Sequence, residues 1–215
     1  MRIWSGMVLL LGCLVMSMGV TARDRAPVLL VLGDSLSAGY GLAPDEAWPA
    51  LLQGRLVESG ASTRVVNASI SGETMAGGLA RLPALLEAHR PAVVIIELGA
   101  NDGLRGLAIG QLRANLQALV RASRASGAVV VVVPMRVPPN YGPAYSQAFE
   151  AVFAELSALE ERVSLSPFFL KDVVLDPALM QADGLHPTAA AQPRMLDAIW
   201  PSIEAALKRS SKGTP

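Results

Sequence analysis

Four polar clusters in this sequence carry residue types that do chemistry: Gly33-Asp34-Ser35-Leu36-Ser37, Ser69-Ile70-Ser71-Gly72, Gly99-Ala100-Asn101-Asp102 and Asp183-Gly184-Leu185-His186-Pro187. A serine hydroxyl attacks a carbonyl only if a base takes its proton. The base needs a carboxylate to fix its tautomer, and the oxyanion that forms needs hydrogen-bond donors. The chain has two histidines. His89 closes a segment rich in Leu and Ala, just before Arg90-Pro91, and reads as a solvated helix C-terminus. His186 stands in a loop, because Pro187 disfavours the α region for the residue before it. Asp183 lies within the same turn, close enough to bind one ring nitrogen and leave the other facing a nucleophile. The residues alone also admit plainer readings. Asp183 could simply cap an Asp-Gly turn beside a solvated histidine, and Asp34 or Ser35 could simply N-cap a helix.

A scaffold must bring these clusters together. Apolar runs at Val28 to Leu32, Arg64 to Asn67, Val93 to Leu98 and Ala128 to Val133, with a weaker one at Val163 to Leu165, read as strands. Their lack of polar alternation predicts cover on both faces, as in a parallel sheet. Between them, Glu46 to Ser59, Leu79 to His89, Gln111 to Ser126 and Tyr145 to Glu161 carry apolar residues three and four apart and read as crossover helices. A last helix falls within Ala189 to Lys208, where Pro193 bends it or delays its start. The expected architecture is an α/β fold, a three-layer doubly wound parallel sheet of flavodoxin-like strand order. Such sheets bind ligands at the carboxyl ends of their strands, where the first three clusters fall.

With 52% hydrophobic and 17% charged residues, the chain can bury a substantial core. Its 18 basic residues balance 18 acidic ones, which excludes a nucleic-acid footprint. Residues 1–22 read as a signal peptide: Met1-Arg2 is the positive start, the stretch to Ala22 is uncharged, and Val20-Thr21-Ala22 offers a loose cleavage site before Arg23. An uncleaved anchor and a lipoprotein box at Leu10-Leu11-Gly12-Cys13 are the rival readings. Glycines and serines dilute the span, and the apolar run continues past Cys13. The predicted mature unit is one domain, residues 23–215, periplasmic or secreted, with no membrane span left after cleavage. Cys13 is the sole cysteine, so that unit can hold neither a disulfide nor a thiolate metal site.

Gly-x-Ser-x-Gly, the P-loop and Gly-x-Gly-x-x-Gly are all absent, which argues against α/β-hydrolases and nucleotide-binding versions of the fold. Taken together and in order, Gly33-Asp34-Ser35-Leu36-Ser37, the Gly72 loop, Gly99-Ala100-Asn101-Asp102 and Asp183-x-x-His186 resemble the four blocks of the SGNH (GDSL-type) hydrolases. Connecting segments such as Asn67 to Glu73, Gly78 to Leu86, Asn101 to Gly106 and Pro139 to Gly142 resemble the exported bacterial thioesterase, lysophospholipase and arylesterase subfamily. The resemblance implies Ser35 as nucleophile, His186 as base and Asp183 as its orienter. It implies an oxyanion hole of the Ser35 and Gly72 backbone N–H groups and the Asn101 side-chain amide. Glycine at 72 would admit close backbone approach, and Asn101 offers donors without charge. Asp34 and Asp102 read as loop-shaping residues.

The function so implied is a serine esterase and thioesterase that needs no cofactor and no metal. Its partner would be a small acyl or aryl ester or thioester, lysophospholipid among them. Met75, Leu104, Pro138, Tyr141 and Met180 adjoin the motifs and have types that suit an alkyl or aryl group. Glu73 to Gly78 reads either as a mobile segment beside the site, with Met75 as adaptable apolar surface, or as an ordinary βα loop. Two rivals remain. A carbohydrate O-deacetylase would want sugar-stacking aromatics, and the aromatic content is 5%. A non-catalytic exported binding protein would not require Ser35, Asn101 and His186 together. Nothing in the pattern specifies an oligomeric state.

Overall fold

The computed structural model describes residues 26–158 and 163–212. The reading of residues 1–22 lies outside them, as does the end of the segment expected to be helical to Glu161. The Val, Leu and Ile runs form five parallel strands: β1 (Val28–Gly33), β2 (Arg64–Asn67), β3 (Val93–Glu97), β4 (Val129–Val132) and β5 (Val163–Leu165). Their order is β2-β1-β3-β4-β5, the expected flavodoxin-like arrangement. Every residue of β1, β3 and β4 is buried. The edge strands β2 and β5 are only partly covered, with Arg64 and Asn67 exposed.

The helices are α1 (Ser35–Ala38), α2 (Trp48–Glu58), α3 (Met75–His89), α4 (Ala100–Leu104), α5 (Ile109–Ala125), α6 (Pro143–Ala154) and α7 (Gln192–Lys212). α3, α5 and α6 pack side by side on one face of the sheet, and α2 and α7 cover the other. Trp48, Phe149, Phe153 and Phe169 are the largest side chains of the core. Because β1 leads to β2 on one side and β3 lies on the other, the strand order reverses at β1. That reversal opens the crevice at the carboxyl ends of β1 and β3. Among the described residues no helix is long and apolar enough to cross a membrane.

Three helix boundaries differ from the expected ones. α7 starts at Gln192, so Pro193 sits in its first turn, where a missing N–H costs nothing, and delays the start rather than bending the helix. α6 begins at Pro143 for the same reason. α3 begins at Met75, four residues before the periodicity suggested. Thr74 caps it, its Oγ1 accepting from the Gly77 N–H at 3.2 Å. The paired glycines are therefore helical. A Cβ on Gly78 would come within 2.5 Å of Leu98 Cδ1, so this glycine serves close helix–sheet approach, not backbone freedom.

Gly99 precedes α4 with φ +116, and a Cβ there would lie 2.7 Å from Met75 Cε and 3.2 Å from Phe153 Cζ. Gly106 also has a positive φ, +62, but nothing lies within 4 Å of its Cβ position. Gly99→Ala should therefore cost about 1–3 kcal/mol, and clearly more than Gly106→Ala. Urea-unfolding midpoints of the two variants check this, and equal losses would mean that the packing at Gly99 adds nothing to the backbone strain.

Candidate active site

β1 ends at Gly33, and Asp34 then caps a single helical turn, its Oδ1 accepting from the Leu36 N–H at 3.0 Å. Because Asp34 takes the capping role, the Ser35 hydroxyl is free to point elsewhere. It donates to His186 Nε2 at 2.8 Å, while the His186 Nδ1–H donates to Asp183 Oδ2 at 2.6 Å. The other carboxylate oxygen, Oδ1, accepts from the backbone N–H groups of Leu185 (2.9 Å) and His186 (3.0 Å). Both plainer readings are thus partly right. Asp34 is an N-cap and Asp183 does cap its own turn, yet each arrangement leaves the reactive group oriented. His89 is far removed, in the last turn of α3.

The Asp183 carboxyl is held down at about 2, first by the His186 backbone N–H, then by the His186 ring and the Leu185 N–H. It therefore remains an anion across any ordinary pH and always accepts from the imidazole. The loop that carries the pair is tied down by groups the sequence did not reveal. Gln181 Nε2 donates to the Tyr40 carbonyl at 2.8 Å and to the Pro187 carbonyl at 2.9 Å, joining the base loop to the chain just after α1. The Tyr40 ring lies against His186, their centroids 4.4 Å apart. Neither residue stands in a recognisable pattern; only their long-range contacts give them meaning.

The three expected donors lie in the loops that follow β1, β2 and β3. Gly72 occupies the third position of the Ile70–Glu73 turn with φ +80. A Cβ built there meets no protein atom within 4 Å, and the positive φ is a backbone angle that glycine takes without strain. The backbone N–H groups of Ser35 and Gly72 donate to no other described residue. Arg105 Nη2 donates to the Gly72 carbonyl at 3.1 Å and supports the turn from α4. Asn101 Nδ2 donates to Asp34 Oδ2 and to the Glu73 carbonyl, both at 3.0 Å. These bonds aim the amide, and an incoming oxyanion would share its hydrogens with them.

Asp34 and Asp102 have the expected shaping roles. Asp102, buried in α4, accepts the Met75 N–H at 3.0 Å and so supports the start of α3. Burial raises its carboxyl above the ordinary 3.8. Asp34 is pushed up to about 6 by burial, against the pull of the Leu36 N–H, His186 and Asn101.

The five apolar candidates separate. The Tyr141 hydroxyl donates to the Leu104 carbonyl at 2.6 Å, which brings Leu104, Tyr141 and the adjoining Pro138 together beside α4. Met180 pairs with Pro187 at the base of the His186 loop. Met75 is fully buried in the core and presents no surface to a substrate, so the expectation that it forms adaptable surface is corrected. The helical start of α3 turns it inward, under Gly99. Tyr40, Ile70 and Leu185, which sequence reasoning passed over, are exposed apolar side chains beside the motif residues. A separate cleft of about 890 Å³ between the Pro134–Val137 segment and α6 is not lined by Ser35, Leu104 or Tyr141. Among the described residues, no group of three or more His, Cys, Asp or Glu could hold a metal ion.

The model of the GDSL-like lipase/acylhydrolase family matches residues 31–193. The chain is 52% identical over 197 residues to esterase TesA of Pseudomonas aeruginosa, covering 92% of this chain and 97% of that protein. It is 48% identical over 172 residues to the thioesterase 1/protease 1/lysophospholipase L1 of Escherichia coli K12, covering 80% and 81%. Among solved structures, the psychrotrophic esterase EstA from Pseudoalteromonas sp., inhibited by monoethylphosphonate, superposes with a TM-score of 0.79 at 44% identity, covering 84% of this chain and 98% of that one.

The geometry around Asp183 generates a direct expectation. Asp183→Asn keeps the shape but turns the imidazole to the wrong tautomer, and in the serine-protease precedent such a change lowers kcat by about 10⁴. Steady-state kinetics with a chromogenic ester measures it, and a loss below tenfold would reduce Asp183 to a turn cap.

Proposed function

The chain belongs to the GDSL-like lipase/acylhydrolase family and is an ester-hydrolysing enzyme; we propose that it works as a serine esterase and thioesterase with Ser35 as nucleophile, His186 as general base and acid, and Asp183 as the orienter of His186. The observation that carries the assignment is the continuous hydrogen-bond chain from Ser35 Oγ through His186 to Asp183, at 2.8 and 2.6 Å. As Ser35 Oγ attacks the acyl carbon, its proton passes to His186 Nε2, and the fixed Asp183 anion stabilises the imidazolium. The oxyanion lies within reach of the Ser35 and Gly72 N–H groups and the Asn101 amide. His186 then protonates the departing alkoxide or thiolate, and a water, deprotonated by the same imidazole, releases the acid from Ser35.

The substrates are small acyl esters. The apolar side chains that flank the motifs, Tyr40, Ile70, Leu104 and Leu185, support acyl or aryl groups over a sugar ring as the part recognised. Thioesters and lysophospholipids follow from the relatives' names. Residues 1–22 serve in this reading as an export signal, placing the enzyme in the periplasm or outside the cell.

Ser35→Ala and His186→Ala should each remove nearly all turnover, by as much as about 10⁶, and the double variant should lose little more, since the residues act as a unit. Asn101→Ala leaves two backbone donors and should cost roughly 10² to 10³ in kcat with a smaller change in KM. An alkyl phosphonate should add its mass at Ser35, and chelators should leave the rate unchanged. Labelling that moved to Ser37 or Ser71 would overturn the nucleophile. Loss in EDTA that a divalent cation restores would overturn the serine mechanism.

Export has its own measurement. Intact mass of protein from a periplasmic fraction should place the N-terminus near Arg23, whereas a retained Met1 or a lipid on Cys13 would contradict the signal reading.

A further inference from the structure

Glu97 is the last residue of β3, and its side chain is fully buried. A charged residue inside a central parallel strand is rare unless something binds it. In the sheet register Glu97 stands opposite Gly33, so the two share a face. Gly33 has no side chain because the Glu97 carboxyl fills the place. A Cβ on Gly33 would lie 2.6 Å from Glu97 Oε2 and 2.7 Å from Ser37 Cβ.

That one oxygen, Oε2, accepts from the Ser37 hydroxyl at 2.5 Å and from the Asp34 backbone N–H at 3.3 Å. The Ser37 hydroxyl in turn accepts from Trp48 Nε1 of α2 at 3.2 Å. Glu97 therefore grips the chain on both sides of Ser35. Its other oxygen, Oε1, is buried and has no partner among the described residues. An anion with one oxygen unpartnered in the core is strongly disfavoured, whereas a carboxylic acid with its hydroxyl at Oε1 keeps both contacts at Oε2. The neighbouring acid, Asp34, differs: both of its oxygens are bound, one by the Leu36 N–H and one by Asn101. Two acids this close do not share the cost of ionisation equally.

We propose that Glu97 is a positioning residue for the nucleophile and acts as a neutral acid, anchoring Asp34 and Ser37 so that Ser35 faces His186 while Asp34 alone carries charge. The inference rests on the reading of Ser35 as nucleophile. From β1 the carboxyl faces Gly33 and Asp34, from α1 Ser37, and behind Ser37 it meets Trp48 of α2; of these only Asp34 titrates. Burial first, and the Asp34 charge second, raise Glu97 well above the ordinary 4.5.

Gln at 97 copies the neutral acid: its carbonyl can accept from Ser37 and Asp34, and its NH₂ stands where the acid's hydroxyl was. Glu97→Gln should keep kcat within about threefold of wild type and leave KM unchanged. Glu97→Ala should lower kcat by roughly 10²-fold, the loss expected when a reacting group is misplaced by about 1 Å, with KM little altered. Ser37→Ala removes one of the two anchors and should cost roughly tenfold, which serves if Glu97→Ala fails to fold. Stability supplies a second readout. The raised native value means that the folded state holds the proton more tightly than the unfolded chain. The resulting stability is complete below about 4.5 and is lost as pH rises toward the native value. Glutamine has no such loss, so the melting temperature of Glu97→Gln should gain on wild type as pH rises from 4.5.

If Glu97→Gln is as slow as an anchor-less variant, or gains no stability with pH, the neutral-acid role is wrong. If Glu97→Ala or Ser37→Ala keeps full kcat, the positioning role is wrong. Phosphonate labelling of each variant keeps the two readings apart: a label that misses Ser35 in wild type overturns the proposed nucleophile, while normal labelling beside an unaffected kcat overturns only the role of Glu97.

Discussion

The 2.8 Å hydrogen bond between Ser35 and His186 joins residues 151 positions apart, and much of the remaining structure is arranged to hold its two ends. One end is stiff by construction, because Ser35 follows the buried strand β1 directly. The other lies in a loop with little regular structure, and a serine–imidazole bond formed by a loose loop would be lost to chain entropy. The loop is instead tied repeatedly. Met180 bridges Pro187, the Gln181 N–H donates to the His186 carbonyl at 2.7 Å, and the Thr188 N–H donates to the Leu179 carbonyl at 2.8 Å. Gln181 and Tyr40 then connect it to the segment that follows Ser35. Gln192, at the start of α7, accepts the Trp48 N–H at 3.0 Å and so fixes the following helix to α2.

Three acids serve the site in three different environments, and the environment sets the charge of each. Asp183 is at the surface and accepts three hydrogen bonds from N–H groups, so it is a permanent anion. Asp34 is buried but has both oxygens bound, and is raised only to about 6. Glu97 is buried with one oxygen unpartnered and is raised well above its ordinary value, by burial first and the Asp34 charge second. Burial disfavours the charged form, and hydrogen bonds to the charged form restore it. Asp34 and Glu97 each accept two hydrogen bonds, but those of Asp34 are spread over both oxygens whereas Glu97 receives both on Oε2, so one oxygen of Glu97 is left with burial alone.

The strands were legible from residue types alone, because buried parallel strands need no polar alternation, whereas Ser35, Gly72, Asn101, Asp183 and His186 stood out as a set only through the resemblance of the ordered polar blocks to a known family. What escaped has physical causes. Gly77-Gly78 hid the first turn of α3, since glycine signals freedom in a sequence but here permits close packing on Leu98. Met75 is buried because α3 begins at it and turns it toward Gly99, a boundary the glycines conceal. Gln181, Tyr40 and Arg105 act through contacts to residues far away in the chain, which no local pattern encodes. Glu97 did leave a signal: it is the one charge in the run from Val93 to Leu98, and it ends a strand whose neighbour supplies a glycine opposite.

The strand order explains why these particular blocks surround one serine. With the order β2-β1-β3, the loop after β2 and the loop after β3 rise on opposite sides of the loop after β1. Ser35 thus follows the central strand of the three, with the loops that carry Gly72 and Asn101 following the strands on either side. An oxyanion formed at Ser35 can meet a donor from each flank as well as the serine's own N–H. In a simple sequential order, β1-β2-β3, Asn101 would lie about two strand spacings from Ser35 on the same side as Gly72, too far for its amide to reach the same oxygen. The reversal of winding at β1 therefore does more than open a crevice. In the proposed mechanism it gives three blocks separated along the chain the places of a nucleophile and of donors on both sides, and leaves the remaining approach, from the C-terminal loop, for the imidazole.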